Sequence, residues 1–150
     1  MPIPDDFFDA RTDKLIENLK GDESLVHSLP ETVQVLKGPP RTSAAKFAIY
    51  VYRGRSEYTY TQGEQQIDAD GVWTIACATR QAFDPALLEE YVSTMAAIVV
   101  RNIAAHQQEA DLWLTITPGP HDPRTIRDRN NQYWELEEIP VLMSYDEELT

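Results

Sequence analysis

The sequence predicts an α+β fold: a mainly antiparallel sheet, helices packed on one face, and a long arm or hairpin between central strands. Three observations carry this. Two segments, near residues 6–20 and 84–106, repeat apolar residues at helical spacing. Several short stretches rich in Val, Ile, Thr, Tyr and Trp are bounded by Gly, Pro, Asn and Asp, the pattern of strands and turns. Their order is α, β, β, arm, β, α, β, loop, β, within 150 residues, the size of one domain.

The first helix runs from about Asp6 to Lys20. Asp5 or Asp6 caps its start, Phe8, Leu15, Ile16 and Leu19 make one stripe, and Lys20-Gly21 is a stop. DESLVHSLPE follows as a loop with room for one helical turn. A short strand spans Thr32 to Leu36 and is broken by GPPRTSAA. The next spans Lys46 to Arg53. There Phe47, Ile49 and Val51 alternate with Ala48, Tyr50 and Tyr52, so both faces are partly apolar.

RSEYTYTQGEQQIDADG is the arm, about residues 54–71, with strand formers at its start and turn formers after them. Val72 to Thr79 is a strand with Trp73, Ile75 and Cys77 on one face. The second helix is the clearest element. Asp84 is its N-cap and Pro85 takes the first helical position, where a missing N–H costs nothing. Leu88, Tyr91, Val92, Met95, Val99 and Ile103 form a stripe, widened by Leu87, Ala97 and Ile98, so more than one side is buried.

A strand from Leu112 to Thr117 leads into a polar loop, about 118–132, and a terminal strand begins near Tyr133. In that strand Trp134 and Leu136 differ in parity from Ile139, Val141, Met143 and Tyr145. A one-residue bulge near Glu137–Glu138 would restore a common core face. Pro140 has no N–H to give a ladder, which argues for an edge position or for pairing on one side only there.

The net charge of -12 and pI near 4.5 argue against a protein that grips nucleic acid by its phosphates. The lone Cys77 closes no intramolecular disulfide and, inside an apolar run, reads as a buried, inert thiol. MPIPDDFFDA has neither the basic nor the apolar region of a secretory signal, and no apolar run approaches the ~18 residues of a membrane span. His27, His106 and His121 form no i, i+4 pair, and there is no calcium loop, no G-x-S-x-G and no phosphate-binding glycine loop. No metal, cofactor or catalytic set nominates itself, although a small enzyme or ligand-binding domain is not excluded.

The surface features left over are Tyr58 and Tyr60 on the arm, Arg124, Arg127 and Arg129 in the loop, and the acids Glu135, Glu137, Glu138, Asp146, Glu147 and Glu148 at the end of the chain. The tyrosines either pack back on their own sheet or meet another subunit. The arginines are either a solvated loop or a dock for an acidic surface. The acids are either the wet face of a strand or turned toward a neighbouring subunit's Arg124, Arg127 or Arg129.

The order of elements, with the helix Phe83 to His106 and the closing YWELEEIPVLMSYDEEL, resembles the tail terminator (tail completion) proteins of long-tailed bacteriophages and related tail-like particles. The resemblance implies a non-enzymatic virion protein, without cofactor, at the head–tail junction. It would be made in the host cytoplasm and independent of membranes. It implies a homo-oligomeric, hexameric ring that caps the tail tube and joins the tube protein to a head-completion or connector protein, with DNA passing through its lumen. A head-completion adaptor of the same neck is the alternative. Contacts between subunits and rings would fall on Arg55 to Asp70 and Pro118 to Gln132. Acid lining the lumen would repel passing DNA rather than hold it.

Overall fold

The computed structural model describes residues 7–40, 46–61, 66–80, 85–109, 112–113, 115–127 and 133–148. Among them are α1 (Phe7–Lys20), α2 (Glu23–His27), β1 (Gln34–Lys37), β2 (Phe47–Thr61), β3 (Gln66–Arg80), α3 (Pro85–Ala105), β4 (Thr115–Pro118), β5 (Asp122–Arg127) and β6 (Tyr133–Glu148). The strands form one 6-stranded sheet in the order β1-β2-β3-β6-β4, with β5 also paired to β6. Only the β1–β2 pair is parallel; the rest are antiparallel. The fold is the α+β sheet with helices on one face that the sequence predicts.

The helices cover one face for a simple reason. Leu15, Ile16 and Leu19 of α1 and Val92, Met95, Val99 and Ile103 of α3 are buried, as their spacing requires. They meet Phe47, Ile49, Val51, Trp73, Ile75, Cys77, Ile139, Val141 and Met143 in one cluster. Trp73 sits at its end, its indole Nε1 donating to the Thr12 hydroxyl of α1 at 2.8 Å. Gly71 makes room for that ring, because a Cβ there would lie 2.3 Å from it. Asn102 of α3 ties the helices together: its amide donates to the Asn18 carbonyl at 3.1 Å and to Asp22 at 3.0 Å. Asp22 also caps α2 through the Ser24 amide at 2.9 Å. The caps expected at Asp5, Asp6 and Asp84 lie outside the described residues.

The terminal strand differs from expectation in an informative way. β6 pairs with β3 without a break from Arg80↔Trp134 to Gln66↔Glu148, so there is no bulge at Glu137–Glu138. The change of parity is real. Ile139, Val141 and Met143 face the helices. Leu136 faces the other way, buried with Ala48, Tyr50, Ala76 and Ala78, and Trp134 packs against that second cluster. A strand inside a sheet with two apolar faces needs no bulge to bury both sets.

The bulge sits instead on the β4–β5 edge beside β6. Between Pro118↔Val141 and Asp122↔Glu138, three residues of the edge (Gly119, Pro120 and His121) face two of β6 (Ile139 and Pro140). Half of the expected 118–132 loop is therefore the paired strand β5. Pro140 is correspondingly not in an edge strand; it lies between β3 and the β4–β5 edge. Its carbonyl accepts from the Gly119 amide at 2.6 Å. In an antiparallel strand a residue's N and C=O point to the same side. The missing N–H thus falls on the bulged side, where the ladder is interrupted anyway.

A candidate assembly surface on a three-stranded arm

The arm is longer and better paired than a hairpin loop. β2 and β3 pair from Phe47↔Thr79 to Thr61↔Gln66. The end of β6 runs beside them to Gln66↔Glu148. The chain's acidic end is thus the third strand of the arm.

A register shift between Arg53 and Ser56 decides what each face of the arm carries. Arg53 pairs with Trp73 and Ser56 with Gly71, so Gly54 and Arg55 together stand opposite Val72. The extra residue flips the parity of β2. Ser56, Tyr58 and Tyr60 then share rows with Gly71–Met143, Ala69–Tyr145 and Ile67–Glu147. By the two-residue repeat, this is the face on which Trp73 and Met143 meet the helices. The opposite face has the rows Glu57–Asp70–Ser144, Thr59–Asp68–Asp146 and Thr61–Gln66–Glu148. By register alone, Tyr58 and Tyr60 fall in rows with Ala69, Ile67, Tyr145 and Glu147, and Glu57, Asp68, Asp70, Asp146 and Glu148 fall in the alternate rows. Like charges directly opposite on neighbouring strands, as at Glu57↔Asp70 and Asp68↔Asp146, disfavour the isolated pair.

The other expected surface residues are dispersed. Glu137 and Glu138, adjacent in β6, lie on opposite faces. Glu137 is on the helix side, 14% exposed, with His121 Nδ1 of the edge bulge 3.3 Å away. Glu138 is opposite Asp122 of β5. Arg124 and Arg127 lie in β5, opposite Leu136 and Tyr133. These arginines and acids are therefore neighbours within one chain, beside one another on adjacent strands. Arg129 lies outside the described residues. Glu135 accepts from the Thr125 hydroxyl, which pins β5 to β6. Sequence reasoning missed the pairing of Asp68 with Asp146, since no local pattern brings positions so far apart into register.

No chemistry converges elsewhere among the described residues. No group of three His, Cys, Asp or Glu stands close enough to hold a metal there. Cys77 is fully buried, and burial first, then the charge of Glu137, pushes its thiol pKa far up, which keeps it protonated and unreactive. His106 meets Glu109 at 3.2 Å, and its carbonyl accepts from the Trp113 indole at 3.1 Å, a contact that closes the turn after α3. None of the described helices is long and apolar enough to cross a membrane.

No protein-family model matches the chain, and no curated protein does. Among solved structures it is similar to a chain of the virion of a native gene transfer agent particle. The TM-score is 0.54 at 14% identity, and the match covers 87% of this chain and 92% of that chain. At this identity what is shared is the fold, and it is shared over nearly the full length of both chains.

Proposed function

We propose that this chain is a structural protein of a phage-like particle, and within that class a tail terminator. Six copies form a ring that ends the tail tube and joins it to a head-completion or connector protein, and DNA passes through the lumen without specific binding. The observation that carries this is the fold shared with a gene transfer agent virion chain over 87% of the sequence. The arm supports it. A three-stranded ribbon whose register sets tyrosines and carboxylates in alternate rows suits contact between subunits better than catalysis, and among the described residues no group of three His, Cys, Asp or Glu stands close enough to hold a metal. The chain's -12 charge suits a lumen that lets DNA slide.

Sedimentation and electron microscopy of the purified chain, alone and with tail tubes, test the reading. Rings, formed at once or on adding tubes, support it. A strict monomer that binds neither tubes nor capsids ends it. Replacing Tyr58 and Tyr60 with Ser should weaken assembly at least about tenfold while the far-ultraviolet spectrum stays unchanged. Assembly as strong as the parent's removes the arm from the interface.

A further inference from the structure

Arg80 is the last residue of β3. Its guanidinium lies over the Trp134 ring of β6, 5.3 Å from the centroid. The side chain is half-buried, and its Nε is fully buried with no hydrogen-bond partner among the described residues. None of the ion pairs between described residues includes it. Its neighbour on β2, Lys46, is answered by Glu31 at 3.2 Å. The acids nearest to Arg80 on β6 are committed elsewhere or further off. Glu135 takes the Thr125 hydroxyl, and Glu138 lies beyond Leu136 in the register, opposite Ala76. By register Arg124 falls between, in the row of Ala78 and Leu136. This end of the sheet therefore holds a partly desolvated cation without a counter-charge, a standing cost to the isolated chain.

The other end of β3 has the opposite defect. Asp70 pairs with Glu57 and Asp68 with Asp146, so like charges stand in register with no cation between them in these rows. Arg80, Asp70 and Asp68 share one parity on β3, and the β3–β6 register runs between them without a break. At ~3.3 Å per residue the acids lie about 33–40 Å from Arg80, so the two ends cannot meet within one chain. They can meet between two. We propose that copies of this chain join head to tail, with the arm carboxylates of one copy (Asp68 and Asp146, flanked by Glu57 and Asp70) set against the Arg80–Trp134 stack of the next. Such a contact leaves every copy with one donor end and one acceptor end, the arrangement that closes a ring. The inference rests on the reading of the chain as a ring subunit and names the contact that holds the ring. The chain's charge of -12 disfavours nucleic acid as the anion.

The test is a charge exchange, read by sedimentation velocity with the chain alone and with tail tubes. One variant is Arg80→Glu and the other carries Asp68→Lys with Asp146→Lys. Each by itself should weaken assembly at least about tenfold, because like charges then meet at the contact. Mixed in equal amounts they should restore it, since acid again meets base at both ends of each copy, a recovery that misfolding could not produce. Arg80→Gln should weaken assembly and flatten its dependence on salt. Parent-like assembly of Arg80→Gln, or a mixture no better than its components, overturns this contact and leaves the ring reading standing. A parent chain that associates neither with itself nor on tubes overturns both. Association that stops at a dimer overturns the head-to-tail order. A short DNA duplex that binds the parent and is released by Arg80→Gln would make phosphate the occupant, and likewise overturns the proposal.

Discussion

The two faces of the sheet are both apolar in the body, yet they are filled by different means. The helix face is packed with large groups: Trp73, Ile49, Ile75, Met95, Ile139 and Met143 are all fully buried. The opposite face buries three alanines, Ala48, Ala76 and Ala78, around Tyr50 and Leu136, with Arg80 stacked 5.3 Å from the Trp134 ring at its margin. Small residues keep that face flat. A layer of helices demands interdigitating bulk, and a flat sheet face does not. The arm continues the sheet past Gly71, with tyrosine and acidic positions in alternate rows of the register.

The largest effect that can break this comparison is at Trp73. Trp73→Ala should cost about 3–5 kcal/mol in urea unfolding, from the cavity and the lost partner of Thr12. A cost below about 1 kcal/mol would mean that the helix face is not the tighter one. Next is the other face. Leu136→Ala should cost about 2–3 kcal/mol if that face is a true second core, and a near-neutral result would show it to be open surface. Gly71→Ala comes third, at about 1–3 kcal/mol, since the new Cβ drives the Trp73 ring out of place. Its cost should vanish in a Trp73→Ala background, which a double-mutant cycle reads directly.

The smallest effect is at the sheet's edge, where Lys37 holds β1 to α1. Its ammonium lies 2.9 Å from Asp13 and 3.4 Å from Asp9. The hydrogen bond it donates to Asp13 is the main cause that raises its pKa above the ordinary 10.5, with Asp9 adding to it. The pair is exposed, so Lys37→Met should cost no more than about 1 kcal/mol. A folded pKa above the unfolded one means that the contribution is complete at pH below 10.5 and is lost as pH rises through the folded value. The gap between parent and Lys37→Met should therefore close in alkali. A gap that persists there assigns it to the lysine's aliphatic stem instead.

Much of this was legible in the chain. The α3 helix starts at Pro85, as the proline's fixed φ requires, and ends at Ala105 within a residue of the expected stop. The alternation of Phe47 to Tyr52 announced two apolar faces, and Cys77 in its apolar run announced a buried thiol. Those features depend on period and on local backbone preference, which each residue carries with it. The site was less legible. Tyr58 and Tyr60 stand out in the chain as aromatics on an arm, but the register that sets them in rows with Ala69–Tyr145 and Ile67–Glu147 is not readable there.

Pairing, by contrast, is settled between segments. The same change of parity in Trp134–Met143 is compatible with a bulge in β6 or with two buried faces, and the choice rests on what lies on either side of the strand. Pro140 likewise reads either as an edge residue or as one paired on one side, and the bulge at Gly119–His121 opposite it decides between the two. Most of the helical and extended segments, and the residues in them that avoid water, follow from the chain alone, because those are properties of a segment; β5, whose residues read as loop, is a strand only because β6 lies beside it. The chain alone leaves open which strands lie together, because register is a property of two segments, and a shift of one residue exchanges every face.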